Sequence, residues 1–506
     1  VRNLDFSAVV GSTALPSTSL RDGEHSRTVT ALSDSKGGLG KNGEISNKMN
    51  INETVNKKPA LLVATLTSFL TPFMGSSVNI ALPSIGKEFG MHAVSLSWIT
   101  TSYLLAAAMF LVPMGRIADI SGRKKILRYG ISLDLVASLL LAVSNNEIEF
   151  LCLRVLQGIG GAMIFGNAVA ILTSVYPVGE RGKALGINVA AVYSGLSLGP
   201  FIGGFLTQHL GWRSIFVSYV PLELVIIAYT LWRLKGEWAD AKGEKFDWGG
   251  SVIYGFSLVA VMYGFSVLPD LFAVWLILFG ALGIFAFVKW EMKAKSPVFD
   301  IKLFMGNIVF TFSNLAALVN YSATYAVGFL LSLYLQYTKG LSPENAGLIL
   351  VSQPLMQAIF SPLAGRLSDK IEPRIVASAG MAITVIGLLL LVFLSFATTL
   401  VFIIFSLVLL GFGFALFSSP NTNAVMSSVE KKFYGVASAT LATMRLTGQM
   451  LSMGIAMLVF ALYIGRAQIT PENYPAFLTS AKTAFIIFAI LCFGGIFASL
   501  SRGKVR

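Results

Sequence analysis

After residue 60 the chain alternates fourteen long apolar runs with short loops, and nearly all of its charge falls in the loops. Each run is close to the roughly 20 residues an α-helix needs to cross a bilayer core. In hydrocarbon every backbone polar group must be satisfied internally, which leaves helices as the form for runs of this length. The runs read as 61–83, 98–114, 127–145, 151–172, 186–208, 214–233, 249–267, 271–290, 309–333, 345–363, 375–394, 399–420, 434–463 and 480–499. The fold class that follows is an all-α polytopic membrane protein. With 55% hydrophobic and 12% charged residues, the composition is far from that of a soluble domain.

The formal charge of +13 is unevenly placed. An even number of crossings puts both termini on one side. The loops and helix ends on that side, with Lys57 and Lys58, hold 25 Lys or Arg; the other side holds Lys87, Arg213, Lys339, Arg466 and Lys482. The positive-inside rule then makes the termini cytoplasmic, in a multi-pass protein of the cell membrane. Cations dispersed over loop ends suit anionic lipid headgroups and make a poor nucleic-acid surface. Cys152 and Cys492 both lie inside runs, and His25, His92 and His209 lack ligand spacing, so no metal or disulfide framework is expected. Neither a GxxxxGK[ST] loop nor HExxH is present. The expectation is a non-enzyme without a cofactor and without an obligate protein partner.

Residues 1–59 are rich in Ser, Gly, Asn and Thr and carry no apolar run. They read as a disordered tail. Met49 opens MNINETVNKKPALLVA, a natural lead into the first run, so residues 1–48 are expected to be dispensable or an upstream start.

Two distant segments share one form. Pro113–Lys124 reads PMGRIADISGRK and Ser361–Arg374 reads SPLAGRLSDKIEPR; both place Gly-Arg-apolar-x-Asp at the end of an apolar run. Such an internal match is what a duplicated transporter leaves in sequence. The first copy follows run two and the second run ten, which becomes run eight when runs seven and eight are set aside. The expected organisation is a six-helix bundle at 60–235, an inserted pair with linkers at 236–305, a second bundle at 306–500 and a tail at 501–506.

In these motifs the chain resembles the major facilitator superfamily, in its fourteen-helix drug:proton antiporter branch, over residues 60–500. Gly115, Arg116, Asp119, Gly122, Arg123 and Lys124 match the loop motif after helix two. Arg154, Gln157, Gly158, Gly160 and Gly161 match the helix-four motif, and Gly195, Gly199, Pro200, Gly203 and Gly204 the antiporter motif of helix five. Trp212-Arg213 with Phe216 and Pro221, Phe246 to Gly249, and Tyr334 to Gln336 with Gly340 to Pro343 and Ala346-Gly347 extend the match. The resemblance implies the major facilitator fold, with two pseudo-symmetric six-helix bundles plus two inserted central helices. It also implies multidrug efflux by antiport, hence an association with antibiotic resistance.

The motifs also have a direct physical reading. Asp119 among Arg116, Arg123 and Lys124 can latch the bundles, with Gly365, Arg366 and Asp369 as second-half counterparts; charge that only sets topology is the alternative. A latch of a few kcal/mol suffices to bias two states. Gly195, Gly199 and Gly203 share a helix face, where small residues let backbones approach closely. Pro200 permits a local bend. The face is read as a seal that rocks without leaking protons, or as close packing alone.

Arg154 lies inside run four, and a charge there normally faces protein or water. It stays protonated, so it can tune a carboxylate or an anionic substrate but cannot carry the proton. A structural arginine reaching the headgroups is the alternative. Arg445, four residues before Gln449, is a second buried arginine that either meets an acid or lines a cavity.

One departure bears on mechanism. The branch resembled carries an acid late in helix one, in an LDxTIVNVALP pattern; here the stretch is Phe73 to Pro83, and Met74 takes the acid's position. A thioether holds no proton. The remaining intramembrane carboxyls are Asp134, expected deep in helix three, and Glu223, expected nearer the surface in helix six. Desolvation penalises the charged form of an acid, so such a group can cycle its proton. Helix three is peripheral in the resembled fold, which weighs against Asp134, and either acid can instead be a paired structural group.

Cavity candidates are Met74, Ser77, Asn79, Gln157, Asn320, Tyr321 and Gln449, with Thr71, Ser76, Asn314, Ser322 and Tyr325 nearby. The expected activity is alternating-access export of small amphipathic compounds driven by inward protons. Export of a specific metabolite or organic anion, and a non-transporting sensor with a retained transporter fold, are the alternatives.

Overall fold

The computed structural model describes residues 38–177, 180–294, 296–299, 301–430 and 433–503. Most of the expected tail therefore lies outside the described residues. The first helix runs Gly38–Phe89 and so begins ahead of the boundary at residue 60. This helix runs through Gly40, Gly43 and Pro59.

Residues 53–506 form one compact unit. Among the described residues, fourteen helices are long and apolar enough to cross a membrane: α1 (Lys57–Phe89), α2 (Ala93–Ser121), α3 (Arg123–Val143), α4 (Glu147–Val175), α5 (Arg181–Leu210), α6 (Arg213–Trp232), α7 (Trp248–Val267), α8 (Leu271–Glu291), α9 (Ile308–Thr338), α10 (Pro343–Ser368), α11 (Pro373–Val392), α12 (Leu400–Ser427), α13 (Tyr434–Tyr463) and α14 (Pro471–Ser501). Each expected run falls on one helix. Several helices run past their apolar stretch, because polar ends are satisfied by caps rather than by hydrocarbon. Asn146 shows how: its Oδ1 accepts from the Glu149 amide at 2.9 Å, and Glu149 Oε2 accepts from the Asn145 amide at 3.2 Å.

Side-chain periodicity sets how the helices face. On α3, Leu127, Gly130, Ile131, Asp134, Ala137, Ser138 and Leu141 are buried. Tyr129, Val136, Leu139, Leu140 and Val143 are exposed. That is a 3.6-residue stripe turned inward and an apolar stripe left for lipid. α3 packs against α4 and α6, and α4 against α2. In the second half α12 packs against α10 and α11, and α14 against α9 and α11. Two seams join these groups: α5 lies against α10, and α2 against α13.

Glycines make the α5 seams close. A methyl group on Gly195 would lie 2.3 Å from the Phe69 carbonyl oxygen, and one on Gly203 would lie 2.7 Å from Ser77 Cα, both on α1. A methyl on Gly204 would lie 2.6 Å from the Pro343 carbonyl oxygen, and one on Gly347 of α10 would lie 2.1 Å from that of Pro200. α5 remains one helix through Pro200.

The α7–α8 pair covers the other seam. Tyr254 Oη donates to the Ala108 carbonyl of α2 at 3.2 Å. Gly454 of α13 is small enough to seat Phe265 and Met262 of α7. α8 turns Phe272, Trp275, Phe279, Leu282 and Phe285 outward.

Candidate functional site

A cavity of about 1090 Å³ lies between the two groups of helices. Its wall includes Thr71 and Asn79 of α1, Tyr103 of α2, Tyr193 of α5, Tyr321 and Tyr325 of α9, Gln353 and Gln357 of α10, Phe414 and Thr422 of α12, and Arg445 and Gln449 of α13. Arg181 and Gly182 at the start of α5, Met426 near the end of α12 and Tyr434 at the start of α13 also line it. The cavity therefore reaches the end of the molecule that carries the α4–α5 and α12–α13 loops. The α2–α3 and α10–α11 loops lie at this same end, termed here the motif end.

The opposite end is closed by contacts between the groups. Ser332 Oγ donates to the Asn79 carbonyl at 2.7 Å, and Gln336 Nε2 to the Ile80 carbonyl at 2.9 Å. His209 Nε2 lies 3.0 Å from Glu344 Oε2. The Ala93 amide donates to the Ala467 carbonyl at 3.0 Å, and Gln468 Nε2 to the Gly90 carbonyl at 2.8 Å. The cavity is open at one end only.

Beside this cavity, inside the α2–α3–α4–α6 group, sits a polar cluster. Arg154 is fully buried; its Nε donates to the Ile99 carbonyl at 3.0 Å, and Nη1 donates to Gln157 Oε1. Gln157 Nε2 donates in turn to Ser138 Oγ at 3.0 Å. The Arg154 guanidinium lies 4.7 Å from the centre of the Tyr103 ring, and Tyr103 is part of the cavity wall. Asp134 and Glu223 are both buried and their carboxyl groups adjoin. No donor from another residue reaches either oxygen of Glu223 or Oδ1 of Asp134, so these oxygens have only the facing carboxyl. Buried carboxyl oxygens are rarely left unmatched without a role in proton or ligand chemistry. Arg154 and Gln157 also act on the Asp134 carboxyl.

Several expectations need correction. Glu223 is not near a surface: it sits midway along α6, between Arg213 and Trp232, and is fully buried. α3 is peripheral on one face only, and Asp134 is on the other. Asn79, Tyr321 and Gln449 do line the cavity, but Met74, Ser77, Gln157 and Asn320 do not. Met74 is packed in the core. Ser77 Oγ donates to the Gly199 carbonyl at 2.9 Å and faces α5. Gln157 is in the polar cluster, and Asn320 Nδ2 faces Cys492 Sγ at 3.9 Å. On a helix one position is about 100° of rotation, so Gly75 and Ser76 reach the cavity where Met74 and Ser77 do not. Tyr103, Tyr193, Gln353, Gln357 and Thr422 went unrecognised; their signal was a polar or phenolic group inside an apolar run.

The loop motif is engaged with the α6–α7 linker. Arg116 Nη2 pairs with Glu244 at 2.5 Å, and Arg123 Nη2 pairs with both Asp119 and Asp240 at 2.8 Å. Asp119 also offers its backbone carbonyl to the Ala241 amide at 2.9 Å. Arg123 further donates to Ser174 Oγ on α4. These charges tie the motif to the linker rather than to the second-half helices. Gly115 meets nothing that a methyl group would strike. In the second copy, Asn423 Nδ2 reaches Asp369 Oδ1 at 3.5 Å, Gly365 passes Ser419 of α12 closely, and Arg366 lies in the last turn of its helix.

Comparisons agree with this architecture. The Major Facilitator Superfamily model matches residues 64–315 and again 314–504. The riboflavin transporter RibZ of Clostridioides difficile (strain 630) is 28% identical over 442 residues, which cover 86% of this chain and 95% of RibZ. The multidrug resistance protein Stp of Mycobacterium tuberculosis (strain H37Rv) is 27% identical over 80% of this chain and 76% of its own. Among solved structures, an inward-facing bacterial homologue of the human lysosomal transporter Spinster superposes with a TM-score of 0.63. It has 16% identity and covers 88% of this chain and 97% of its own, a likeness of fold.

Proposed function

The chain belongs to the major facilitator superfamily, and from that premise we propose that it exports small amphipathic organic compounds by alternating access, in exchange for inward protons. The observation that carries the proton half is the adjoining pair Asp134 and Glu223, buried beside the cavity with three oxygens that have only the facing carboxyl. Two carboxylates this close in a low-dielectric site repel, so the pair is built to hold a proton and to release one. The motif end is cytoplasmic on the distribution of Lys and Arg, so the cavity here faces the cytoplasm, where an exporter loads.

Arg154 links the two sites. Its guanidinium is drawn to the acid pair when a proton leaves and is shared with the Tyr103 ring when the pair is neutral. Because Tyr103 is cavity wall, protonation and cavity shape become one equilibrium. A bias of a few kcal/mol between the two states is sufficient. The relatives' cargoes, named as riboflavin for RibZ and as multiple drugs for Stp, support a small organic cargo.

The test is substrate-induced proton movement in vesicles reconstituted with the full chain. Wild type should release protons on addition of cargo, and Asp134→Asn and Glu223→Gln should each abolish that release while leaving cargo binding intact. Cargo transport by wild type that is indifferent to an imposed pH gradient would overturn proton antiport.

A further inference from the structure

The charge of the cavity wall narrows the cargo. Among the described residues that line it, Arg181 and Arg445 are the cations and no Asp or Glu is present. Arg181 stands at the start of α5, where its Nε donates to the Tyr176 carbonyl at 2.8 Å. Arg445 sits well inside α13. Its Nη2 donates to Thr422 Oγ1 at 2.6 Å, its Nε is buried without a partner, and its guanidinium lies 5.6 Å from the centre of the Tyr321 ring. Among the described residues no carboxylate lies within 4.0 Å of it.

A guanidinium inside a membrane protein is costly unless something of opposite charge or a good acceptor completes it. A ring face and one hydroxyl supply part of that. The rest is missing from the wall itself and must come from water or from cargo. Next to Arg445 the wall is aromatic: Tyr321 meets Phe414 edge to face at 5.2 Å, and Tyr193 Oη donates to Ser418 Oγ at 3.1 Å close by. Flat π-faces beside a guanidinium that no carboxylate of the described residues meets fit a flat ring bearing an acidic group. They do not fit a cationic drug, for which the wall offers aromatic faces but also a repelling charge and no counter-ion.

We infer that the cavity binds planar aromatic anions, with the acidic group on Arg445 and the rings against Tyr321, Phe414 and Tyr193. This rests on the cavity being the transport site. It goes further in that the coupling acids and the cargo's counter-ion are then separate: Asp134 and Glu223 in the first half handle protons, and Arg445 in the second half handles the anion. Export carries the anion outward through the cavity as protons move inward through the acid pair, and no bond to the cargo is made or broken.

The experiment is dye binding to the purified full chain in detergent, without a gradient, read by fluorescence anisotropy. Fluorescein and tetramethylrhodamine methyl ester share a xanthene ring system and differ in charge. Wild type should bind fluorescein at least about tenfold more tightly than the rhodamine ester, a margin of one well-placed charge-assisted contact. Arg445→Gln should abolish that preference, and Arg445→Lys should restore part of it. On wild type, anthracene carboxylate should displace fluorescein and aminomethylanthracene should not, a comparison that needs no variant to fold. Equal or reversed preference between the dyes, or displacement by the amine as readily as by the acid, would overturn the inference. A failure of proton antiport would look different: fluorescein would bind with the stated preference, yet its passage into vesicles would ignore a pH gradient.

Discussion

At the residue scale the chemistry rests on a few groups placed by unrelated stretches of chain. Asp134 and Glu223 come from α3 and α6, and Arg154 from α4 between them. If the acids share one proton-handling role, their effects will not add. Asp134→Asn and Glu223→Gln should each lower pH-driven exchange by about two orders of magnitude, and the double variant should be no worse than the poorer single one. Exchange rates at matched protein density check this, since independent sites give additive losses and coupled sites do not. A second expectation concerns Arg154. Arg154→Lys retains the charge but has no planar fork to serve the Ile99 carbonyl and Gln157 Oε1 together. It should retain cargo binding and shift the pH dependence of exchange, whereas Arg154→Gln, which removes the charge, should uncouple cargo movement from protons. The pH profile of exchange in the two variants separates these outcomes.

At the scale of helices, what the seams need is proximity, and the glycines supply it. A methyl group on Gly199 would lie 1.9 Å from Ser76 Oγ and 2.8 Å from the Phe73 carbonyl oxygen. The hydroxyl can rotate away but the carbonyl cannot, so Gly199→Ala should push α5 from α1. Overpacking of this kind costs about 1–3 kcal/mol. Detergent melting should show the loss, and vesicles carrying the variant should leak protons without cargo, because the seam of α5 also borders the closed end. Gly186→Ala, where a methyl meets nothing within 4 Å, should do neither and serves as the control.

Much of this element scale was legible in the chain. Each of the fourteen runs lies on a membrane-length helix among the described residues, and the repeated Gly-Arg-x-x-Asp motif lies at the end where the cavity opens. What periodicity did not reveal was the rotation of each helix about its own axis. A shift of one residue moved Met74 out of the cavity and left Gly75 in it. The pairing of Asp134 with Glu223 was also hidden, because nothing local to either residue records which helix it meets. The motif loop gave a similar lesson. Its charges suggested a latch to the other bundle, but Asp240 and Glu244 in the α6–α7 linker are the partners it finds in this state.

For the whole molecule the decisive property is that one end is shut and the other open. α5 and α10 close one side of the far end, where His209 meets Glu344. The proposed alternating-access cycle requires this contact to part when the motif end closes, because a transporter open at both ends would short-circuit the proton gradient proposed to drive it. A crosslink at this position should therefore hold the molecule in the present state. Replacing His209 and Glu344 together by cysteine, in a background with Cys152 and Cys492 changed to serine, should give a pair that a short bis-methanethiosulfonate reagent bridges in membranes, spanning the length the two longer side chains now fill. Bridging should stop exchange, and reduction should restore it. Dye binding at the cavity should survive bridging, since the open end is untouched. Unchanged exchange after complete bridging would mean that α5 and α10 do not separate at this end during transport. The α2–α13 seam, sheathed by α7, would then be the one that opens. That alternative is harder to reconcile with the packing: Tyr254 and Met262 of α7 reach α2 and α13 respectively, so opening that seam would have to break both contacts, whereas opening at α5 leaves the inserted pair in place.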